Sequence, residues 1–264
     1  MRLGRKIFNM TSKTTDSPAK VQPWTAGELH LHKQAVRRLE TIFQAATALV
    51  SRKKSFTEEQ LYNFMVQKMR TAQMTSVNNW AIVAYGKSAA DPHYRFAPGK
   101  SRTIKPGHFL LLDIWGKINR PDAPYADITH MYFVGKRAPA RFQKLWNDLR
   151  DARDKALNHL SQNATAHGAK LHALSSDHLD RCGYKNLFIH GLGHDLGHDH
   201  PHGPGINLSP RFRRSLERGR GYTIEPGIYK SGQFGLRSEI NLFLDHHGRV
   251  QTTSTLQHGL QLIH

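Results

Sequence analysis

The sequence of 264 residues contains one cysteine, Cys182, so no disulfide can form within the chain. That excludes the disulfide-stapled secreted scaffolds and fits a reducing, cytoplasmic setting. Apolar runs are short. None reaches the roughly 20 residues that span a bilayer, so no membrane partner is expected. Acidic residues are scarce, 20 against 38 lysines and arginines, which gives +18 with 18 histidines besides. The excess is spread along the chain in pieces such as RRLE, SRKK and RFRRSLERGR. A solvated basic surface is the plain reading; nucleic acid is an alternative partner that such a field would attract. The opening MRLGRKIFNMTSKTTDSPAK lacks the apolar centre of a secretory signal. A basic, disordered tail is expected over residues 1–24, with an organelle-transit leader as the alternative, and one folded domain over 25–264.

Between Thr25 and Lys53 the apolar positions Leu31, Ala35, Leu39, Ile42, Ala46 and Leu49 step by three and four, which predicts a long amphipathic helix. The run Ser55-Phe56-Thr57 offers an N-cap for a second helix through Leu61, Phe64, Met65 and Met69. Strands follow over Asn79–Tyr85, His108–Gly116 and Ala126–Gly135, then a helix over 139–162 and a shorter one at Ser176–Arg181. Further strands are expected at Asn186–Ile189, Tyr222–Tyr229, Leu236–Leu244 and near Val250–Thr253. The order helix-helix-strand-hairpin occurs twice, which predicts an α+β fold of two related halves with helices on one face.

With acids so few, their positions are informative. Asp113 lies in HFLLLDIWG, Asp127 in YADITHMYFVG, Glu225 in YTIEPGIY and Glu239 in GLRSEINLFL. An acidic side chain within an apolar strand is costly unless something pairs with it. Four carboxylates carry about −4, which two divalent ions would balance. Asp113 and Asp127 are expected as cross-strand neighbours on one hairpin, about 4.5–5.5 Å apart at Cβ and able to hold the same ion. Glu225 and Glu239 repeat the device on a second hairpin, and His194 enters from the loop between the halves. Oxygen-rich ligation with one imidazole suits manganese, cobalt or ferrous iron, with zinc as a further choice. His194 and His198 have the spacing of a zinc-protease helix, but Gly191, Gly193, Gly197 and Pro201 argue against a helix there. Cys182 reads as a small buried residue.

Taken in order, SAADPHY, LLDIWG with YADIT, FIHGLGHDLG, IEPGIY and FGLRSEI resemble the pita-bread metallopeptidases over about residues 80–255. Among these the motifs look most like Xaa-Pro aminopeptidases and Xaa-Pro dipeptidases. The resemblance implies a pita-bread fold, in which two pseudo-symmetric halves form a curved antiparallel sheet with helices on its outer face. It implies two metal ions on Asp113, Asp127, His194, Glu225 and Glu239, with Asp127 and Glu239 bridging them. Glu225 would double as general base for a hydroxide held between the ions, which attacks the carbonyl preceding proline. His202 matches a histidine that stabilises the tetrahedral intermediate, with His200 as its rival. His93, His202, Arg237 and Tyr229 are expected to contact substrate, and Tyr229 and Thr129 also match donors near the cluster. Xaa-Pro relatives usually carry a separate N-terminal domain, so this chain reads as a minimal catalytic form, a fragment, or a protein with another partner. A homodimer stays open. So do a methionine aminopeptidase and a non-catalytic module that binds nucleic acid or protein through its basic surface.

Overall fold

Helix α1 spans Ala26–Arg52 and buries Leu31, Ala35, Leu39, Ile42 and Ala46 of the expected stripe, while Leu49 is only partly buried and Val50 closes the stripe instead. Thr57 starts helix α2 (Glu58–Thr71) through a capping box with Gln60, which satisfies two otherwise unpaired N–H groups. The computed structural model describes residues 21–52 and 55–264, so the leader or tail expected over residues 1–20 lies outside the described residues. Of the remaining positions of that expected tail, Trp24 packs against the folded chain. Trp24 is buried, stacks on Phe243 at 5.9 Å and donates its backbone N–H to the Gly219 carbonyl at 2.7 Å.

In chain order, β1 (Phe56–Thr57), β2 (Met74–Thr75), β3 (Ala81–Tyr85) and β4 (Thr103–Ile104) precede the long hairpin of β5 (Phe109–Ile118) and β6 (Ala126–Val134). Helices α3 (Ala140–Gln162) and α4 (Gly168–Arg181) open the second half. It continues through β7 (Arg220–Ile224), β8 (Gly227–Lys230), β9 (Phe234–Arg237), β10 (Ile240–Leu244), β11 (Val250–Thr252) and β12 (Gln261–Ile263).

The structure departs from the sequence reading at four places. Helix α4 begins at Gly168 rather than Ser176, because the His167 ring caps it by accepting from the Lys170 N–H at 3.1 Å. No strand forms at Asn186–Ile189, where Asn186 adopts a left-handed φ of 63° that ends any extended run. The second hairpin is interrupted. β7 pairs β10 and β8 pairs β9, with Glu225-Pro226 and Ser238-Glu239 left between them. Pro226 has no N–H for a ladder, and its carbonyl takes the Ser238 N–H at 3.2 Å instead. Finally, β12 adds a parallel neighbour to β6 in an otherwise antiparallel arrangement.

Side-chain alternation along the strands separates core from site. Leu110, Leu112 and Ile114 of β5, with Ile128, Tyr132 and Val134 of β6, pack under α1 and α2. Asp113, Asp127 and Thr129 therefore fall on the opposite face, in line with Phe109, Leu111, Met131 and Phe133. In the second half Tyr222, Ile224, Ile240, Leu242 and Leu244 pack on Leu157, Leu160 and Leu171 of α3 and α4. Thr223, Glu225, Glu239 and Asn241 take the other face. One side chain stitches the halves together: buried Asn241 accepts the Asp127 N–H at 3.1 Å and returns its own N–H to the Asp127 carbonyl. Beside it the Glu239 N–H reaches the Thr129 carbonyl at 3.3 Å. The amide acts as one extra rung of sheet between β6 and β10.

Candidate metal centre

The β5–β6 register places Asp113 opposite Thr129 and Asp127 opposite Trp115. The two aspartates are therefore diagonal, not direct, cross-strand neighbours; the expected direct pairing is corrected by two residues, which keeps both on one face. Diagonal positions lie about 7–8 Å apart, which longer reach or a shared ion can bridge. Glu225 sits in the break of the second hairpin, and its N–H turns away to the Leu192 carbonyl at 2.7 Å.

His194 is delivered by a loop rather than a helix, and two contacts with Thr223 fix it. The Thr223 N–H donates to the His194 carbonyl at 2.9 Å, and the His194 N–H donates to the Thr223 hydroxyl at 3.0 Å. Only glycine fits at position 193, since a Cβ there would lie 2.1 Å from the Thr223 carbonyl oxygen. Asp195, wholly buried, pins the loop from behind by accepting from Arg220 Nε at 2.9 Å, Arg220 Nη2 at 2.6 Å and the Gly205 N–H at 3.1 Å. His198, the i+4 neighbour, points elsewhere and bonds Glu28 at 2.8 Å.

The ligand atoms of Asp127, His194 and Glu239 all lie within 4.8 Å of one another. His194 Nε2 is 3.4 Å from Glu225 Oε1 and 3.8 Å from Asp127 Oδ2. Asp113 lines the same cavity of about 390 Å³, and so does Glu225. Asp113 is tied to Arg237, whose Nε also donates to the Thr129 hydroxyl at 2.9 Å. Thr129 in turn donates to Glu239 at 2.8 Å. Burial drives the titration of the cluster. It lifts Asp113 above the usual carboxylate range and takes Glu225 up to about 7. Asp127 and Glu239 rise well above their ordinary values by burial first and then by repulsion from the neighbouring carboxylates. The His194 imidazole is pushed well down, again by burial, and stays neutral.

The sequence matches metallopeptidase family M24 over residues 30–245. This chain belongs to that family. An uncharacterized peptidase of Bacillus subtilis, YqhT, is 27% identical to it over 226 residues, 86% of this chain and 60% of that protein. Among solved structures, an X-Pro aminopeptidase from Thermotoga maritima superposes with a TM-score of 0.80 at 24% identity, covering 91% of this chain and 64% of that one. A Xaa-Pro dipeptidase from Bacillus anthracis gives 0.78 at 25% identity, with the same two coverages of 91% and 64%. The M24 chain has the pita-bread fold of these neighbours. It spans between 34% and 45% of the length of three further curated relatives that it matches.

Around the M24 cluster the remaining residues singled out in the sequence fall unevenly. The His202 ring stacks on His194 with centroids 3.9 Å apart, and His200 lies one ring further out, 5.6 Å from His202. His93, Arg237, His200 and His202 all line the cavity. Tyr229 does not. It is buried, with its hydroxyl 3.3 Å from Arg237 Nη1 and 2.9 Å from His190 Nε2, and so braces both side chains from behind. His190 itself lines the cavity and was not separated from its neighbours by the sequence. Its Nδ1 hydrogen goes to the Gly191 carbonyl at 2.8 Å, which leaves Nε2 to accept from the Tyr229 hydroxyl. Cys182 is half-exposed at the end of α4 rather than buried, with its sulfur 3.7 Å from His178 Nε2. Among the described residues no helix is long and apolar enough to cross a membrane.

Proposed function

We propose that this chain is a metal-dependent exopeptidase that hydrolyses Xaa-Pro bonds, with Asp113, Asp127, His194, Glu225 and Glu239 holding two divalent ions. The observation that carries the reading is the orientation of His194. Its Nδ1 hydrogen is taken by the Asp195 carbonyl at 3.0 Å, so the lone pair on Nε2 points among carboxylate oxygens. Acceptors that face one another repel unless a cation or a shared proton lies between them, and a divalent ion satisfies several of them at once. Asp113 Oδ1, buried and without a hydrogen-bond partner, is a second acceptor of the same kind. The donor set fits hard or borderline divalent ions, manganese first and then cobalt, iron or zinc.

Divalent ions in that position supply Lewis acidity, which acidifies water and polarises a peptide carbonyl. The protein's own part is proton handling and alignment. Glu225, held beside His194, is placed to take a proton and pass it to the proline nitrogen, which has no N–H and leaves poorly unless protonated. His202 and His93, in the cavity wall, are placed to donate to the substrate carbonyl. Arg237 lines the cavity but directs its donors to Asp113, Thr129, Tyr229 and the Pro92 carbonyl, so its work is to fix Asp113.

The test is hydrolysis of a Xaa-Pro panel beside Met-Ala peptides, using metal-stripped protein with divalent ions returned singly. Turnover of Xaa-Pro substrates is expected only with an ion present; activity that survives stripping, or a preference for Met-Ala, overturns the reading.

Metal binding should also be proton-linked. The four carboxyl groups have folded-state pKa values raised by burial, so the metal-free cluster keeps protons that unfolded carboxyls have already lost. That contribution to the metal-free fold is present at low pH and is lost as pH rises through the folded values. Ions compete with those protons, whereas neutral His194 offers none. The rise in Tm on adding manganese is therefore expected to grow from pH 5 to beyond about 7, with proton release seen by calorimetry in buffers of different ionisation enthalpy.

A further inference from the structure

The +18 charge of the chain plays no part in the chemistry above. At the cavity it has a local expression. Among the described residues lining that cavity the acids are Asp113, Asp127, Glu225 and Glu239, all within the cluster, and the permanent cations are Arg95 and Arg237. Arg237 is neutralised by Asp113. Arg95 is exposed, and no acidic residue pairs with it among the described residues. It is nevertheless held in place. In the amide orientation that satisfies both groups, the Asn79 side-chain oxygen accepts from Arg95 Nε at 2.8 Å and Nη1 at 3.1 Å. Asn79 is half-buried just before β3, whose Ile82 pairs directly with Asp113. A neutral acceptor thus fixes the guanidinium plane without cancelling its charge, and Nη2 is left for another partner. The planar fork is suited to a carboxylate.

We propose that Arg95 is a carboxylate-binding residue at the side of the cavity and selects substrates that carry a carboxylate beyond the cleaved bond. This rests on the exopeptidase reading. The carboxylate belongs either to the free C-terminus of a dipeptide or to an acidic side chain just after the proline. The cavity of about 390 Å³ lies near the low end of the ~300–1,000 Å³ usual for small-ligand sites, which favours short substrates. The basic surface would steer such anions inward.

Binding and turnover test this separately. Calorimetry on the manganese-loaded chain would use reduced-bond analogues of Ala-Pro, one ending in a carboxylate and one in a carboxamide. The carboxylate form is expected to bind about 10–100-fold tighter, the range of a charge-assisted bond. Arg95→Gln should bring the ratio close to unity, and Arg95→Lys should restore part of it. Equal affinities in the unaltered protein, a ratio that Arg95→Gln leaves in place, or no binding of either analogue overturns the proposal. Kinetics with Ala-Pro, Ala-Pro-amide and Ala-Pro-Asp-amide then distinguish the two sources of the carboxylate by which free acid has the lower KM. If no substrate turns over while the analogue ratio holds, the exopeptidase reading falls and the Arg95 subsite stands.

Discussion

Replacing Glu225 with glutamine is expected to lower kcat on a Xaa-Pro substrate by about 10²–10⁴-fold while making the metal-free protein more stable, not less. The two effects share one cause. Glutamine keeps the shape of the side chain but cannot accept a proton, and it offers a weaker ligand. In the metal-free fold Glu225 is an acid whose burial has raised its pKa from 4.5 to about 7. Well above pH 7 its ionised form opposes folding by about 3 kcal/mol, a term the neutral amide removes. Below pH 4 both residues are uncharged there and the difference vanishes. Steady-state kinetics with excess manganese, and thermal melts of chelator-treated protein at pH 4 and pH 8, check both halves. A kcat within tenfold of the original, or a lower Tm at pH 8, contradicts the assignment.

Arg220→Ala should have the largest effect on stability, a loss of about 3–5 kcal/mol, because it strands the buried Asp195 carboxylate without its counter-charge. Asp195 keeps only the Gly205 N–H, which cannot replace two guanidinium bonds. The residue next along the chain is His194, so the same variant should weaken ion uptake as well as folding. Urea denaturation reads the first and equilibrium dialysis against manganese the second. Replacing both partners, with Asp195→Asn and Arg220→Met, is expected to recover most of the stability, since no charge is left unpaired. A single-variant cost below about 1 kcal/mol would mean the pair is solvated in a way the buried geometry does not allow.

What could be read before any coordinates follows from rule-breaking. Asp113, Asp127, Glu225 and Glu239 stand out because an acid in an apolar strand contradicts the local pattern, and such conflicts collect at functional sites. The helices α1 and α2 were legible for the opposite reason: stripe, cap and capping box agree. Register was not legible. The two-residue offset that makes Asp113 and Asp127 diagonal leaves every side chain on the same face, so the apolar alternation cannot specify it. Asn241 gave a signal of the same kind as the acids, a polar residue in INLFL, but with no charge to draw attention to it. Arg220 was hidden by company, one among many basic residues, although it is one of the few that is buried. His190 was likewise masked by the four histidines that follow it. The strand β12 is only three residues long, and its pairing depends on the exposed edge of β6 rather than on any pattern of its own.

Trp24 occupies the space that the missing side chain of Gly221 leaves open, where a Cβ would come within 2.1 Å of the indole. Around that ring lie His32 at 5.2 Å, His198 at 6.4 Å and the Arg220 guanidinium at 5.8 Å. The indole therefore packs behind the loop that carries His194, through His198 of that loop and through Arg220, which holds Asp195. With Trp80, Trp115 and Trp146 replaced by phenylalanine, its ultraviolet emission would give an unlabelled optical gauge of whether that loop is seated or displaced.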